Sequence, residues 1–254
     1  MKVYKYYSPQ SYNFEALSEN YFYFCKVSKL NDPYDASFDL IQSPQFLKFI
    51  DPIIVPNAKE TMESYGTCSF CEECDNKVMW ALYADNYSGF VVEFEDDTFE
   101  SITNELSARV SYQKVVYKEE CPNLDDMNYT FNYRAYDGKI QTIKLEDCLQ
   151  DFKTMDKLFT HLCSYKNIVW EKECERRLIT GKDIIDRANP KVKYETGGYK
   201  IPIPQGAIKG IIIGHNFLKD RYCYIGEVAR NLGIPVRKTK VCRPFNIEFE
   251  PFSI

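Results

Sequence analysis

The chain has 254 residues, with 37 acidic side chains against 32 Lys and Arg and a net charge of −5. That length can bury a full core, as one large domain or one domain with an inserted lobe, and the acidic balance argues against a general nucleic-acid coat. No window approaches the roughly 18 uninterrupted apolar residues of a membrane span. The opening Met1-Lys2-Val3-Tyr4-Lys5-Tyr6-Tyr7 lacks the apolar core of an export signal, so the ten cysteines read as reduced thiols of a cytoplasmic protein.

Residues 3–7 read as a first strand, 13–17 as one or two helical turns, and 21–27 as the strongest β segment, running into the loop Asn31-Asp32-Pro33-Tyr34-Asp35. A short helix is expected at 45–49, a proline-containing connection at 51–56 and a strand at 65–71. A helix at 75–84 has Asp75 or Asn76 as its N-terminal acceptor. A strand at 89–95 opens on Gly89, a helix follows at 98–107 and a strand at 109–117. Residues 119–137 carry Cys-Pro-Asn and Asp-Gly turn signals. The apolar spacing of Ile143, Leu145, Leu149, Phe152, Met155, Leu158, Phe159 and Leu162 predicts one long helix, or a broken pair, over 140–167. Strands at 199–203, 208–214 and 236–242 and a helix at 218–232 complete the pattern. It describes one α+β domain over 1–254, with a helical insertion around 119–169 and a twisted mixed sheet split around a cleft. Aromatic residues make up 15% of the chain, a surplus that suits a β-rich core and equally suits stacking on planar ligands.

The most informative stretch is Lys166-Asn167-Ile168-Val169-Trp170-Glu171-Lys172-Glu173-Cys174-Glu175-Arg176-Arg177-Leu178-Ile179. Read as a strand, it projects Glu173, Glu175 and Arg177 from one face. Neighbouring carboxylates raise each other's pKa while an adjacent guanidinium lowers both, which is how a site separates an acid or base from an electrostatic clamp. A solvated charge row is the plain alternative, and Trp170 with the apolar exit Leu178-Ile179 weighs against it.

The other candidates carry paired readings. Tyr4, Lys5 and Tyr6 are either site residues or an edge strand guarded by a lysine. Asn31 and Asp32 are either ligand-binding loop residues or an Asx-turn. Trp80 and Tyr83 suit either a core or a stacking surface, and Arg177 either an ion pair or a substrate contact. His161, among apolar helical neighbours, and His215, after a glycine, are read as non-catalytic. Cys68, Cys71 and Cys74 form a CxxCxxC run with no second CxxC pair, and a tetrahedral zinc site usually takes two pairs, so these thiols are expected to hold no metal.

In this order, Tyr4-Lys5-Tyr6, Asn31 to Asp35, Met79-Trp80 to Ala84, Gly89-Phe90, Trp170 to Arg177 and Ile208 to Gly214 resemble the bacterial domain-of-unknown-function 2971 family, over roughly residues 2–215. Members often lie among bacterial defence genes, which implies a role in anti-phage defence. More distantly, the order of elements resembles the ADP-ribosyltransferases, with Lys5 where those enzymes carry His or Arg. That resemblance implies NAD as a substrate, cleaved by a transferase or glycohydrolase without a metal. Glu173 or Glu175 would stabilise the ribosyl cation, Tyr83 or Trp80 would stack nicotinamide, and Arg177 and Lys5 would hold phosphates. The modified protein or nucleic-acid target, a phage-derived trigger and the oligomeric state are left open, and no membrane partner is expected. Two other readings stand beside it: a non-catalytic ligand-sensing module of a defence system, and a metal-dependent nuclease using Asp32, Asp35, Glu173 and Glu175, whose carboxylates would converge on a hard cation.

Overall fold

In chain order the elements of the computed structural model are β1 (Lys2–Tyr7), α1 (Ser11–Ser18), β2 (Tyr21–Lys26), β3 (Gly66–Cys71), α2 (Lys77–Leu82), β4 (Phe90–Glu95), β5 (Val110–Lys114), β6 (Val116–Lys118), β7 (Thr130–Arg134), β8 (Ile140–Lys144), α3 (Leu145–Cys148), α4 (Phe152–Leu162), β9 (Tyr165–Asn167), β10 (Glu175–Thr180), β11 (Lys193–Glu195), β12 (Gly198–Pro202), β13 (Ile208–Ile213), α5 (Tyr222–Leu232), β14 (Val236–Cys242) and β15 (Asn246–Pro251). The structure describes residues 1–32, 34–36, 60–99, 102, 110–126, 128–135, 138–148, 152–181, 191–242 and 246–252. The helix expected at 45–49, the connection at 51–56 and most of the helix expected at 98–107 lie outside them.

Eleven of the described strands share one mixed sheet in the order β11-β12-β2-β3-β1-β4-β13-β14-β15, with β10 and β5 continuing from β3. Every pairing in it is antiparallel except β13 with β14, which α5 connects as a crossover requires. β3 is the branch point. Its whole length pairs with β10, from Glu175↔Cys71 to Thr180↔Gly66. Its other edge meets β2 at one end, through Cys25↔Thr67 and Lys26↔Gly66, and β1 at the other, through Tyr4↔Cys71. Between these contacts β1 and β2 diverge and the sheet splits.

The aromatic surplus has a place. Phe22, Phe70, Phe94 and Phe99 pack ring against ring, with centroids 4.8–6.0 Å apart, in the main core beneath α1 and α5. Taking each such ring out of water contributes about 1.5–3 kcal/mol. On the other side, Trp80 is buried between Tyr87, stacked at 5.2 Å, and Tyr6, edge-on at 5.4 Å. Gly89 is needed at the corner where β4 begins, because a Cβ there would lie 2.0 Å from the Tyr7 carbonyl oxygen.

The region expected to be helical over 140–167 is mixed instead. Ile140–Lys144 pairs with Thr130–Arg134 as a hairpin, turning through Gly138 at φ 79°. Two helices follow, and Tyr165–Asn167 returns as a strand paired in parallel with β6. These elements enclose a second core of Phe131, Tyr133, Leu145, Met155, Leu158, Phe159 and Leu162, which reaches the sheet at Ile179. Of the two proposed acceptors for α2, Asn76 caps it, taking the Met79 N–H at 3.1 Å. Among the described residues no helix is long and apolar enough to cross a membrane.

Candidate functional site

Glu175 and Arg177 project from one face of β10, as the alternation requires. Glu173 does not belong to that strand. It ends a 3-10 helix, Ile168–Glu173, and Cys174 then takes a left-handed conformation with φ 47°. That one residue reverses the chain locally and sends Glu173 inward, towards the same cluster.

The cluster joins five charged side chains, each less than a tenth exposed. Arg177 donates from Nη1 and Nη2 to the two carboxylate oxygens of Asp35, both at 2.7 Å. Its Nε and Nη2 reach Glu175 at 2.8 and 3.0 Å, and Nη1 also meets the Cys163 carbonyl at 2.7 Å. All five N–H groups of the guanidinium fork are thereby occupied. Lys166 Nζ lies 2.6 Å from Glu173, 3.4 Å from Glu175 and 3.8 Å from Asp35, and 5.2 Å from the Trp170 ring centre. The Tyr83 hydroxyl donates to the free Glu173 oxygen at 2.6 Å, and the Asn31 side chain lies beside that hydroxyl. Asp32 supports the cluster indirectly: its Oδ1 accepts the Tyr34 N–H at 2.9 Å and its carbonyl accepts the Asp35 N–H. This is an Asx-turn that presents Asp35 to Arg177.

Burial alone would keep Glu175 protonated, but the Arg177 guanidinium and the Lys166 ammonium outweigh it and hold the carboxyl down at about 2. Lys166 is pushed up, because Glu175 and Glu173 overcome its burial and the repulsion of Arg177. The Tyr83 phenol is raised by burial and by its bond to Glu173, so it remains a donor. Three carboxylates against two protein cations form a closed electrostatic unit. The cations sit where a metal would have to bind, so the arrangement does not favour the nuclease reading.

A cleft of about 510 Å³ opens where the sheet splits. Lys5, Tyr6 and Tyr7 of β1, Tyr12 and Asn13 of α1, Tyr21, Tyr23 and Cys25 of β2, and Thr67 and Ser69 of β3 are among its lining residues. The Ser69 carbonyl, at the unpaired middle of the β3 edge, accepts from Lys5 Nζ at 3.1 Å. The same ammonium lies 5.5 Å from the Tyr7 ring centre and 5.3 Å from that of Phe70, and no carboxylate pairs with it among the described residues. Lys200, at the mouth, is by contrast taken by Glu15 at 2.8 Å and Glu195 at 3.0 Å. Ser69 links the cleft to the charged cluster, since its hydroxyl helps to keep Glu175 ionised.

The sequence candidates thus fall into two groups. Glu173, Glu175, Arg177, Tyr83, Asn31 and Asp32 belong to the charged cluster, while Lys5 and Tyr6 line the cleft. Tyr6 turns its hydroxyl to the Glu73 carbonyl, at 2.7 Å. Trp80 is core, its indole N–H held by the Cys74 carbonyl at 2.8 Å. Tyr4 is half-buried opposite Glu93 of β4. Cys68 and Cys71 enter different cores on opposite faces of β3, so those two thiols point apart. Sequence reasoning gave no role in the cluster to Lys166, although it opens the informative stretch, and used Asp35 only for the metal reading. Thr67 had no signal at all.

His161 is buried in the second core, stacked on Phe131 at 4.6 Å and bonded to the Tyr129 hydroxyl at 2.8 Å. Burial lowers its pKa from 6.5 to about 4. Between those values the unfolded chain binds the extra proton, so stability rises with pH there. Unfolding free energy should therefore fall by on the order of 3 kcal/mol from pH 7 to pH 4 on account of this group. A further loss should follow between about 4.5 and 2, as Glu175 is protonated. Urea midpoints measured across this range check it. His161→Gln should flatten the upper step, and a wild-type curve level from pH 7 to pH 4 would contradict a neutral buried imidazole.

Neither a curated protein nor a solved structure matches the chain. The model of a family described as a protein of unknown function, DUF2971, matches residues 79–178, a span that holds Tyr83, Lys166, Glu173, Glu175 and Arg177 and stops short of the cleft residues on β1, β2 and β3. The segment that builds the charged cluster is thus the part of the chain that is similar to the DUF2971 family.

Proposed function

We propose that the protein binds a nucleotide in the cleft of the split sheet, with NAD as the ligand, and breaks its nicotinamide–ribose bond. The observation that carries the reading is Lys5, an ammonium with no carboxylate partner among the described residues, at a cleft walled by tyrosines. An anion neutralises the first feature and a flat heterocycle suits the second. In the reaction, nicotinamide leaves with the bonding electron pair, and the ribosyl cation is captured by water or by a nucleophile of a target. Glu175, ionised at neutral pH and joined to the cleft through Ser69, is the carboxylate suited to oppose that cation. NAD loss in an infected cell would connect this activity to the anti-phage role that the family resemblance implies.

A second reading, a sensor that binds the same ligand without chemistry, is favoured by the burial of Glu173 and Glu175 and their saturation by Lys166 and Arg177. Nicotinamide release from NAD by the purified protein separates the two. Catalysis predicts release by wild type and a loss of about 100-fold or more in Glu175→Gln, with Glu173→Gln less affected and circular dichroism unchanged in both. Binding without release, and without ADP-ribose attached to any added protein or nucleic acid, leaves the sensor. Failure of wild type to bind NAD at all would sink both.

A further inference from the structure

Thr67 sits at the split of the sheet, and its backbone is flanked on both sides, by Cys25 of β2 and Ile179 of β10. Its side chain is different. The residue is 2% exposed and lines the cleft, yet Oγ1 is buried with no hydrogen-bond partner among the described residues. Buried hydroxyls nearly always find a partner, and one that does not is destabilising. The other such atom among the described residues, the Tyr112 hydroxyl, lies away from the cleft, on a ring contacted by Arg134 and Arg176. An isosteric valine would fill the position of Thr67 without that cost.

We infer that Thr67 is a specificity-determining residue of the cleft. Its hydroxyl is held open for a neutral hydrogen-bonding group of the ligand: an amide, an amine or a hydroxyl beside the anion that Lys5 takes. The inference rests on the cleft reading above and narrows the ligand class, excluding anions whose ring carries no polar substituent near the charge. Thr67 would touch the ligand directly and satisfy in the complex what is unsatisfied in the free protein. A hydroxyl can donate or accept, so the ligand group can be of either kind. Sites built to hydrogen-bond a substrate group reject the analogue that lacks it strongly, because their own polar atom is then left unpaired.

The test uses Thr67→Val and Thr67→Ser in the full chain, with NAD as the probe. Without ligand, Thr67→Val should raise Tm by roughly 2–8 °C, since it removes an unpaired buried hydroxyl. In calorimetric titration the same variant should bind NAD about tenfold more weakly or worse, and Thr67→Ser should stay within about threefold of wild type. A merely structural threonine would show the opposite sign in Tm. If wild type binds NAD and Thr67→Val binds it equally, or if Thr67→Val lowers Tm, the inference is wrong while the cleft reading stands. If wild type binds no NAD, the cleft reading fails and this inference falls with it.

Discussion

Arg177→Met should lower folding stability by about 3–5 kcal/mol, the range for removing one partner from a buried, hydrogen-bonded ion cluster. The guanidinium is 1% exposed and supplies both bonds to Asp35, two to Glu175 and one to Cys163. Its loss leaves three carboxylates, Asp35, Glu173 and Glu175, in a dry site with Lys166 as the remaining cation. For a chain of this size that corresponds to a fall in Tm of roughly 6–20 °C. Arg177→Lys should rescue little, because an ammonium cannot span two carboxylates and a carbonyl in one plane. The cost should also persist in high salt, as buried pairs are weakly screened, whereas disrupting the solvent-exposed Lys200–Glu15 pair should cost little. A loss below about 1 kcal/mol for Arg177→Met would contradict the description of the cluster as a structural keystone.

That cluster shows how far the sequence could be read. The row Glu173, Glu175, Arg177 was visible as charge entering a core, and its burial follows from Leu178 and Ile179 beyond it. The strand parity that seemed to align all three holds for Glu175 and Arg177 alone. Glu173 reaches the site because Cys174 adopts a positive φ, a conformation that a cysteine in an alternating stretch does not announce. Asp35 arrives from 142 positions away in sequence, placed by the turn that Asp32 closes. The turn was legible, but its destination was not.

The strands of the main sheet were legible for a simpler reason. Residues 21–26, 66–71, 90–95 and 208–213 are apolar and aromatic runs, largely buried in the structure. The error over 140–167 arose where two patterns competed. Spacing from Ile143 to Leu162 fits a helix, yet the Asp137-Gly138 turn signal stood just before it. Pairing with Phe131 and Tyr133 across that turn captured Ile140–Lys144 for a hairpin. β15 was missed altogether: its alternation of Ile247 and Phe249 with glutamates becomes a strand through β14 beside it. The cleft and the unpartnered Thr67 hydroxyl arise from strands that diverge in space, which no local pattern encodes.

The effect of largest functional consequence should come from Lys5. Lys5→Met keeps the length of the side chain and its contacts with the Tyr7 and Phe70 rings, and removes the charge. A charge-assisted hydrogen bond to a phosphate contributes about 1.5–3 kcal/mol, so affinity for NAD should fall by roughly 10- to 150-fold. The fold should be unaffected, since a lysine that meets one carbonyl at a half-buried strand position carries little of the stability. Because the attraction is electrostatic and reached from solvent, wild-type affinity should also weaken with added salt, and the Lys5→Met variant should show less of that dependence. Calorimetric titration of wild type and Lys5→Met with NAD is the most direct measurement of the central claim, that the split in the sheet is a nucleotide site. One site per chain is expected in wild type, with affinity at least about tenfold weaker in the variant at unchanged Tm. Equal affinity in the two proteins, or no binding by wild type at millimolar NAD, would contradict it.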